Sequence, residues 1–482
     1  MAKTEHYIGF DCGNSSIRTV LGSYDGKHIT TKVIHQVPNR AMKGSRYEFW
    51  GILYIFYEMQ KGFKLALDEA PEALSFGIST WGIDFGLLGA SKELLTNPLC
   101  YRNPLGKIGL DGIDQSLKDE MFYLTGIQNH IMNSLYQILG IRKELPEYLH
   151  CAKHLLLIPD LLNYLFTGEM NSEASITSTT QLLDMRTQNY CTSLFEKLEL
   201  DQDLFAPLIS HTSIRGLLRE DLATLFASSR IPSVCVPSHD TASAVVAVPS
   251  EEDDFVFISS GTWSLIGTEL SEPIINEEVH HSGFTNEGGA LGTITLLKNS
   301  AGMHILEHIK REMEFNDSTP YSWDDLIDLS RPFLESNEHI LFDPNDESLF
   351  NPKSMIKAIK EITTFSSLGP IIASAYCSLV NSYVSTIREI EHITGNTYEV
   401  IHIIGGGARN DHLNQMTANL ANKRVIAGPV EATSLGITAM QILHTHPTLT
   451  IKEIRRIIKN SSHLVEYEPK ENMVFLDHHP PF

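Results

Sequence analysis

The sequence predicts an α/β protein built from two similar halves, and three passages carry that prediction. Near the start, "YIGFD" reads as a strand, "CGNSS" as a small-residue turn, and "IRTVLGSYDGKHI" as a returning strand with a hairpin signal at Asp25-Gly26. About 250 residues later "DFVFISSGTWSLIGTEL" repeats the strand, small-residue turn and strand. Later still, "YEVIHIIGGGARN" and "DHLNQMTANLAN" read as strand, glycine loop and helix. Each hairpin opens a long mixed helix and strand segment, so the repeat is one of architecture and not a sequence period. A chain of 482 residues also exceeds one ordinary core. The expected boundary lies at 246–254, where "AVPSEEDD" interrupts the apolar pattern with Pro249 and a run of acids, giving halves of 1–248 and 249–482.

Between the hairpins, "FGISTWGIDFGLL" reads as a buried strand and its exit. Alternation places Trp81, Ile83 and Phe85 on one face and Gly82, Asp84 and Gly86 on the other. Asp84 then has two readings: a carboxylate satisfied by an internal Arg or N–H groups, or one that meets a ligand in space cleared by the glycines. "LLLIPDLLNYLF" from Leu155 is broken by Pro159 and Asp160 and falls short of a membrane span. "SHDTASAVV" sets His239 and Asp240 ahead of a helix-compatible run, where Asp240 either caps the helix or does chemistry. A long helix follows Gly369, begun by Pro370 in its first turn and ended by Gly395. The loop Gly405, Gly406, Gly407 is not the dinucleotide fingerprint, because it lies late in the chain and not in a first βαβ unit. It serves either a phosphate on bare backbone or close helix and strand packing.

A hydrophobic fraction of 42% and a charged fraction of 20% are those of a globular protein, while the net charge of -22 repels nucleic acid and anionic membranes. The same field repels ATP at a distance, so a nucleotide site has to rely on local N–H groups and a metal ion. Cys12, Cys100, Cys151, Cys191, Cys235 and Cys377 include no CxxC pair and are too scattered for a zinc site or a disulfide scaffold. The paired histidines His280, His281 and His478, His479 lack metal-ligand spacing and read as exposed or hydrogen-bonded. "MAKTEHYIGFDCG" has no basic region followed by an apolar signal core, which makes a soluble cytoplasmic protein the expectation, either monomer or homodimer.

"DCGNSS" at 11–16, "SSGTWS" at 259–264 and "GGGAR" at 405–409, in that order, resemble the phosphate and adenosine loops of the actin-like, ribonuclease-H-like ATPases. With "HDTASA" ahead of the second hairpin, the chain is similar to the FGGY carbohydrate kinase family. The likeness runs from about residue 76 to 440, through "STWGIDFGLL", "NSLYQ", "STTQLLD", "TNEGGALG", "LLKNSAG" and "AGPVEATSLG". It implies two ribonuclease-H-like domains with an interdomain cleft, the sugar mainly against the first and ATP mainly against the second. The implied reaction is ATP-dependent phosphorylation of the 1-hydroxyl of a ketose, L-rhamnulose, with L-fuculose or L-xylulose as alternatives. Carried over by motif, Asp240 would be the general base, and Gly82, Asp84, His239, Thr241 and Asn299 would line the sugar site. Asn14, Ser15, Ser16, Ile17, Arg18, Thr262, Glu307, Gly405, Gly406 and Gly407 would surround ATP, and Asp11 would hold Mg2+ through water. Three residues depart from the family pattern: Ile17 stands where glycine is expected, Asn103 in "YRNP" where aspartate is, and Glu307 where glutamine is.

The chemistry suits these residue types. Phosphoryl transfer asks for N–H groups of tight turns around the phosphates, a carboxylate-held Mg2+ and a base beside the attacking hydroxyl. Asp240 at a helix start would stay ionised, because the N-terminal dipole favours an anion, so capping and catalysis are compatible. An actin-like regulatory ATP-binding protein without sugar turnover has no need of that base. A nicotinamide-dependent oxidoreductase would need the missing glycine fingerprint.

Overall fold

The computed structural model describes residues 3–252 and 254–470, so His478 and His479, and Asp253 of the expected boundary, lie outside the described residues. The chain forms two compact units. The first gathers the chain up to Ala247 together with Glu269–Leu296 and Ala432–Ser461. The second takes in Val248–Thr268, Leu297–Glu431 and the stretch from Ser462.

The first unit is organised on six strands: β1 (Glu5–Cys12), β2 (Ser16–Tyr24), β3 (Ile29–Pro38), β4 (Ser75–Thr80), β5 (Ile214–Leu217) and β6 (Pro232–Val234), in the order β3-β2-β1-β4-β6-β5. β2 runs antiparallel to β1 and β3, β4 runs parallel to β1, and β6 runs parallel to β4. β1 is buried from Tyr7 onward because both of its faces are covered. Phe10 stacks on Phe63 of the helix Ile52–Glu69 at 5.9 Å, whereas a Cβ on Gly9 would stand 3.2 Å from Ile437 of the helix Ala432–Thr445. Successive residues of one strand thus serve opposite layers. The predicted turn at Asp25-Gly26 is present: Asp25 Oδ1 accepts the N–H groups of Lys27 and His28 at 2.8 and 2.7 Å, and Gly26 has φ 91°.

The second unit repeats the scheme with β7 (Val256–Ser260), β8 (Trp263–Leu270), β9 (Ile294–Ala301), β10 (Val400–Ile404), β11 (Arg424–Ala427) and β12 (Val465–Tyr467), six strands of a seven-stranded sheet in the order β9-β8-β7-β10-β11-β12, with Thr285–Gly288 next to β9. β7 pairs antiparallel with β8 and parallel with β10, β10 pairs parallel with β11, and β12 closes the edge antiparallel. Both sheets therefore carry an antiparallel hairpin followed by two parallel additions and an antiparallel edge. The predicted long helix spans Leu368–Thr394, with Pro370 in its first turn, and ends where Gly395 at φ 72° donates to the Glu391 carbonyl. Among the described residues no single helix is long and apolar enough to cross a membrane.

One sequence expectation fails. Strict alternation across residues 81–86 does not occur, because β4 ends at Thr80 and Ile83 turns the backbone left-handed at φ 72°. Trp81 and Asp84 consequently meet, with the indole Nε1 donating to Asp84 Oδ2 at 3.0 Å.

Candidate active site

The His239-Asp240 corner is set by the end of β4. Thr80 N–H donates to the Ser238 carbonyl at 2.8 Å and Ser79 Oγ donates to the same oxygen at 3.2 Å, so the chain leaves the sheet and enters the helix Asp240–Val246. His239, not Asp240, holds the cap position, and its side chain makes no cap bond. A capping carboxylate accepts an N–H two or three residues on. Asp240 Oδ1 instead accepts from its neighbour Thr241 at 2.7 Å, which corrects the capping reading. The Asp240 side chain keeps 36% of its surface open.

His239 lies between two carboxylates, its Nε2 3.5 Å from Asp240 Oδ1 and its Nδ1 3.2 Å from Glu287 Oε2. Burial opposes charge on the imidazole, but Glu287 and Asp240 outweigh it and lift its pKa to about 9. Burial also raises the Asp240 carboxyl above its ordinary value, with His239 and the Thr241 N–H pulling it back. A cationic ring beside a partly open carboxylate favours the ionised base and offers donors to a hydroxylated ligand.

Gly82 and Ile83 approach this corner from the end of β4. A Cβ on Gly82 would come within 3.1 Å of Thr179, whose Oγ1 accepts the Ile83 N–H at 3.0 Å. Asp84, expected among the ligand contacts, is only 1% exposed, with Trp50 and Trp81 donating to Oδ2 at 2.5 and 3.0 Å. Burial pushes its carboxyl up to about 7, against the two indoles. So placed, it braces the two indoles and its own loop. Thr241 is buried on the helix, while Asn299 is exposed on β9 and belongs to the second unit.

The turn between β1 and β2 is closed by Gly13 N–H to the Ser16 carbonyl at 2.8 Å. Asn39 braces it, donating from Nδ2 to the Gly13 carbonyl and from its backbone to the Ser15 carbonyl, each at 2.9 Å. Asn14 and Ser16 are half-buried and Ser15 is exposed at its tip. Ile17 points into the core at 1% exposure, so the residue that replaces the expected glycine fills the core and not the outer side of the turn. Asp11 Oδ2 takes Arg18 Nη2 at 2.7 Å and Ser434 Oγ at 3.0 Å. Among the described residues no cluster of three His, Cys, Asp or Glu could cage a metal. A lone buried carboxylate fits Mg2+, which keeps most of its waters and is held by one or two carboxylates plus the phosphates it accompanies.

The turn between β7 and β8 is assembled from backbone. Gly261 N–H donates to the Trp263 carbonyl at 2.9 Å, and the N–H groups of Met303 and His304 donate to the carbonyls of Gly261 and Thr262 at 3.0 and 3.2 Å. A Cβ on Gly302 would sit 2.7 Å from both of those carbonyl oxygens. Gly405, at φ 82°, and Gly407 press on the same turn, where added Cβ atoms would meet the Ser260 carbonyl oxygen at 3.0 Å and Ser260 Oγ at 2.0 Å. Gly406 faces open space. The loop thus answers both readings: two glycines pack and the middle one leaves backbone accessible. Glu307 is half-buried on the helix His304–Asp317, and Arg311 Nη2 at 3.5 Å answers its charge. Asn103 has a local reason as well: its amide accepts from the Glu48 N–H at 2.9 Å and donates to the Glu48 carbonyl at 2.8 Å, and an ionised aspartate could not make the second bond.

Residue-type reasoning missed Glu287, Asn39, Ser434 and Glu173. Glu287 lies in "TNEGGALG" and Ser434 in "EATSLG", stretches that marked the resemblance without assigning these side chains. Asn39 acts on backbone groups distant in sequence and left no local signal, and Glu173, which caps its own short helix, reaches Ser238 and His211 only through the fold.

Residues 6–247 match the N-terminal domain, and residues 256–444 the C-terminal domain, of the FGGY family of carbohydrate kinases. Rhamnulokinase of Bacteroides thetaiotaomicron is 34% identical over 477 residues, covering 97% of this chain and 96% of the relative. Rhamnulokinase of Bacillus subtilis is 33% identical over 472 residues, covering 96% of each. Among solved structures, gluconate kinase from Lactobacillus acidophilus superposes with a TM-score of 0.82 at 16% identity, over 97% of this chain and 94% of its own. Plasmodium falciparum glycerol kinase with ADP does so with a TM-score of 0.77 at 13% identity, over 98% and 95%. At such identities the structures speak for the two-domain actin-like ATPase fold alone. With both family domains in order and full-length relatives at this identity, the chain belongs to the FGGY family of carbohydrate kinases, phosphotransferases with an alcohol group as acceptor.

Proposed function

We propose that this chain transfers the γ-phosphoryl group of ATP to the 1-hydroxyl of L-rhamnulose. The observation that carries the reading is the half-open Asp240 carboxylate beside a doubly flanked His239, in a chain whose full-length relatives are rhamnulokinases. Asp240 takes the proton of the attacking hydroxyl, and the cationic His239 keeps that carboxylate ionised until it does. Gly82, Thr241 and Asn299 orient the sugar with His239. Asp84 acts from beneath by holding Trp50 and Trp81. The first turn (Asn14, Ser15, Ser16, Ile17 backbone and Arg18), Thr262, Glu307 and the loop Gly405–Gly407 receive the nucleotide. Asp11 would hold Mg2+, which would supply positive charge against the phosphates. In domain terms, 1–248 carries mainly the sugar side and 249–482 mainly the ATP side.

A panel of ketoses assayed for sugar-dependent ADP release tests the substrate. L-Rhamnulose is expected to give a kcat/KM at least about tenfold above L-fuculose and L-xylulose, the ratio set by one well-placed hydroxyl contact. A higher value for either rival reassigns the sugar, and ADP release indifferent to every sugar refutes the kinase reading.

A further inference from the structure

Glu173 takes no part in the chemistry above, yet its fully buried carboxylate gathers five donors. Oε1 accepts the Ser175 N–H and His211 Nε2, each at 2.6 Å. Oε2 accepts Ser175 Oγ at 2.6 Å, the Ile176 N–H at 3.0 Å and the Ser238 N–H at 2.8 Å. Having donated its proton to Glu173, Ser175 Oγ accepts the N–H of His239 at 3.2 Å. The amides of both residues ahead of Asp240 therefore end on one carboxylate, one directly and one through a hydroxyl.

The same node reaches the other walls of the site. Glu173 accepts the first N–H groups of the short helix Ala174–Ser178. Past that helix, Thr179 holds the Ile83 N–H beside Gly82, and Ser178 Oγ accepts the Gly288 N–H beside Glu287 at 2.9 Å. His211 Nδ1 accepts the Leu291 N–H at 3.0 Å, which puts the ring proton on Nε2, facing Glu173. Burial raises the Glu173 carboxyl, but His211 and the converging donors outweigh it and hold it at about 2. A buried charge is a poor way to gain stability, since apolar residues of similar volume often do as well. It can, however, fix the direction of several N–H groups at once, which no apolar side chain can.

The geometry points to Glu173 as the positioning residue of this active site: it orients the Ser238-His239 backbone and so sets where the Asp240 carboxylate stands relative to the hydroxyl it deprotonates. The inference rests on Asp240 being the base. It is tested in the full chain with Glu173→Gln, Ser175→Ala and Asp240→Asn, reading kcat, KM for the ketose and for ATP, sugar-independent ATP hydrolysis and Tm. Glu173→Gln keeps the size but in either amide orientation turns an NH2 group toward at least two donors, and kcat is expected to fall roughly 10²-fold, the cost of an ångström-scale misplacement. ATP KM and sugar-independent hydrolysis stay at wild-type values, which a general loss of structure would not allow. Ser175→Ala removes only the relay to His239 and is expected to lower kcat about 3- to 10-fold, the scale of one hydrogen bond. If Glu173→Gln does not fold, Ser175→Ala decides, and a folded Ser175→Ala enzyme with wild-type kcat overturns the inference. So does a Glu173→Gln enzyme whose kcat stays within about twofold, or whose ATP KM rises in step with the fall in kcat. Normal turnover by Asp240→Asn overturns the inference together with the base reading. Loss in Asp240→Asn beside normal Glu173 and Ser175 variants overturns this inference alone.

Discussion

The His239-Asp240 corner of the first unit and the glycine-backed turn of the second are built with opposite materials. Around Asp240 the structure uses charge: His239 between two carboxylates, and Glu173 gathering five donors beneath. Around Ser260–Trp263 it uses bare backbone, with Gly302 and Gly405 admitting main chain and Gly407 the Ser260 side chain where any Cβ would collide or crowd. The difference suits the tasks proposed for the two regions. A proton acceptor must carry a charge at a defined point, and a charge set near a protein interior needs many partners. A phosphate-type turn needs N–H groups free of side chains, so glycine is the material. The turn between β1 and β2 shows both: Asn39 ties its backbone, while the Asp11-Arg18 pair stands behind it.

If that contrast holds, breaking the charged corner strikes kcat and breaking the glycine turn strikes nucleotide binding. The largest effect belongs to Asp240→Asn, expected to lose roughly 10²- to 10⁴-fold in kcat, with both ligand affinities and Tm kept, because the lost interaction belongs to the transition state. Near-normal steady-state kcat in the folded variant would leave the corner without its chemistry. Next is the nucleotide side of Asp11: Asp11→Asn is expected to lose most turnover and to raise the Mg2+ concentration for half-maximal rate, and excess chelator to abolish activity in the parent chain. Undiminished rates in chelator would remove the metal from the scheme.

The corner also carries a pH signature. The His239 pKa is raised to about 9 from an ordinary 6.5, so its contribution is full below about 6.5 and is lost as the pH rises through about 9. Its size is at most about 3 kcal/mol, from the free energy of one pKa unit. Tm measured from pH 6 to 10 should fall more steeply in the parent than in His239→Gln, and parallel curves would count against the cluster. The smallest effects separate the glycines. Gly407→Ala should cost about 1–3 kcal/mol through overpacking and weaken ATP binding, with partial rescue by Ser260→Gly, which removes the colliding side chain. Gly406→Ala should stay within about 0.5 kcal/mol, as expected of an open surface position. Equal Tm losses in the two variants would undo the division between packing and open backbone.

The sequence by itself determined the elements whose cause is local. The paired hairpins, the turn at Asp25-Gly26, the long helix closed by Gly395 and the strand, glycine loop and helix after Val400 were all legible from hydrophobic period and turn residues. Family motifs marked His239-Asp240 and the three loops in the same way. Only the tertiary structure decided what depends on contacts far apart in the chain. It placed Ala432–Ser461 with the first unit, so that Ser434 reaches Asp11 and Ile437 covers Gly9. It bent residues 81–84 at Ile83 and gave Asp84 to two indoles, where alternation alone had given it glycine neighbours. It also brought Glu287 to His239, and Glu173 to the Ser238 amide and the His211 ring. The physical reason is common to these cases. A strand or a turn is specified by neighbours within a few residues, whereas a buried polar group is satisfied by whatever donor the folded chain delivers to it.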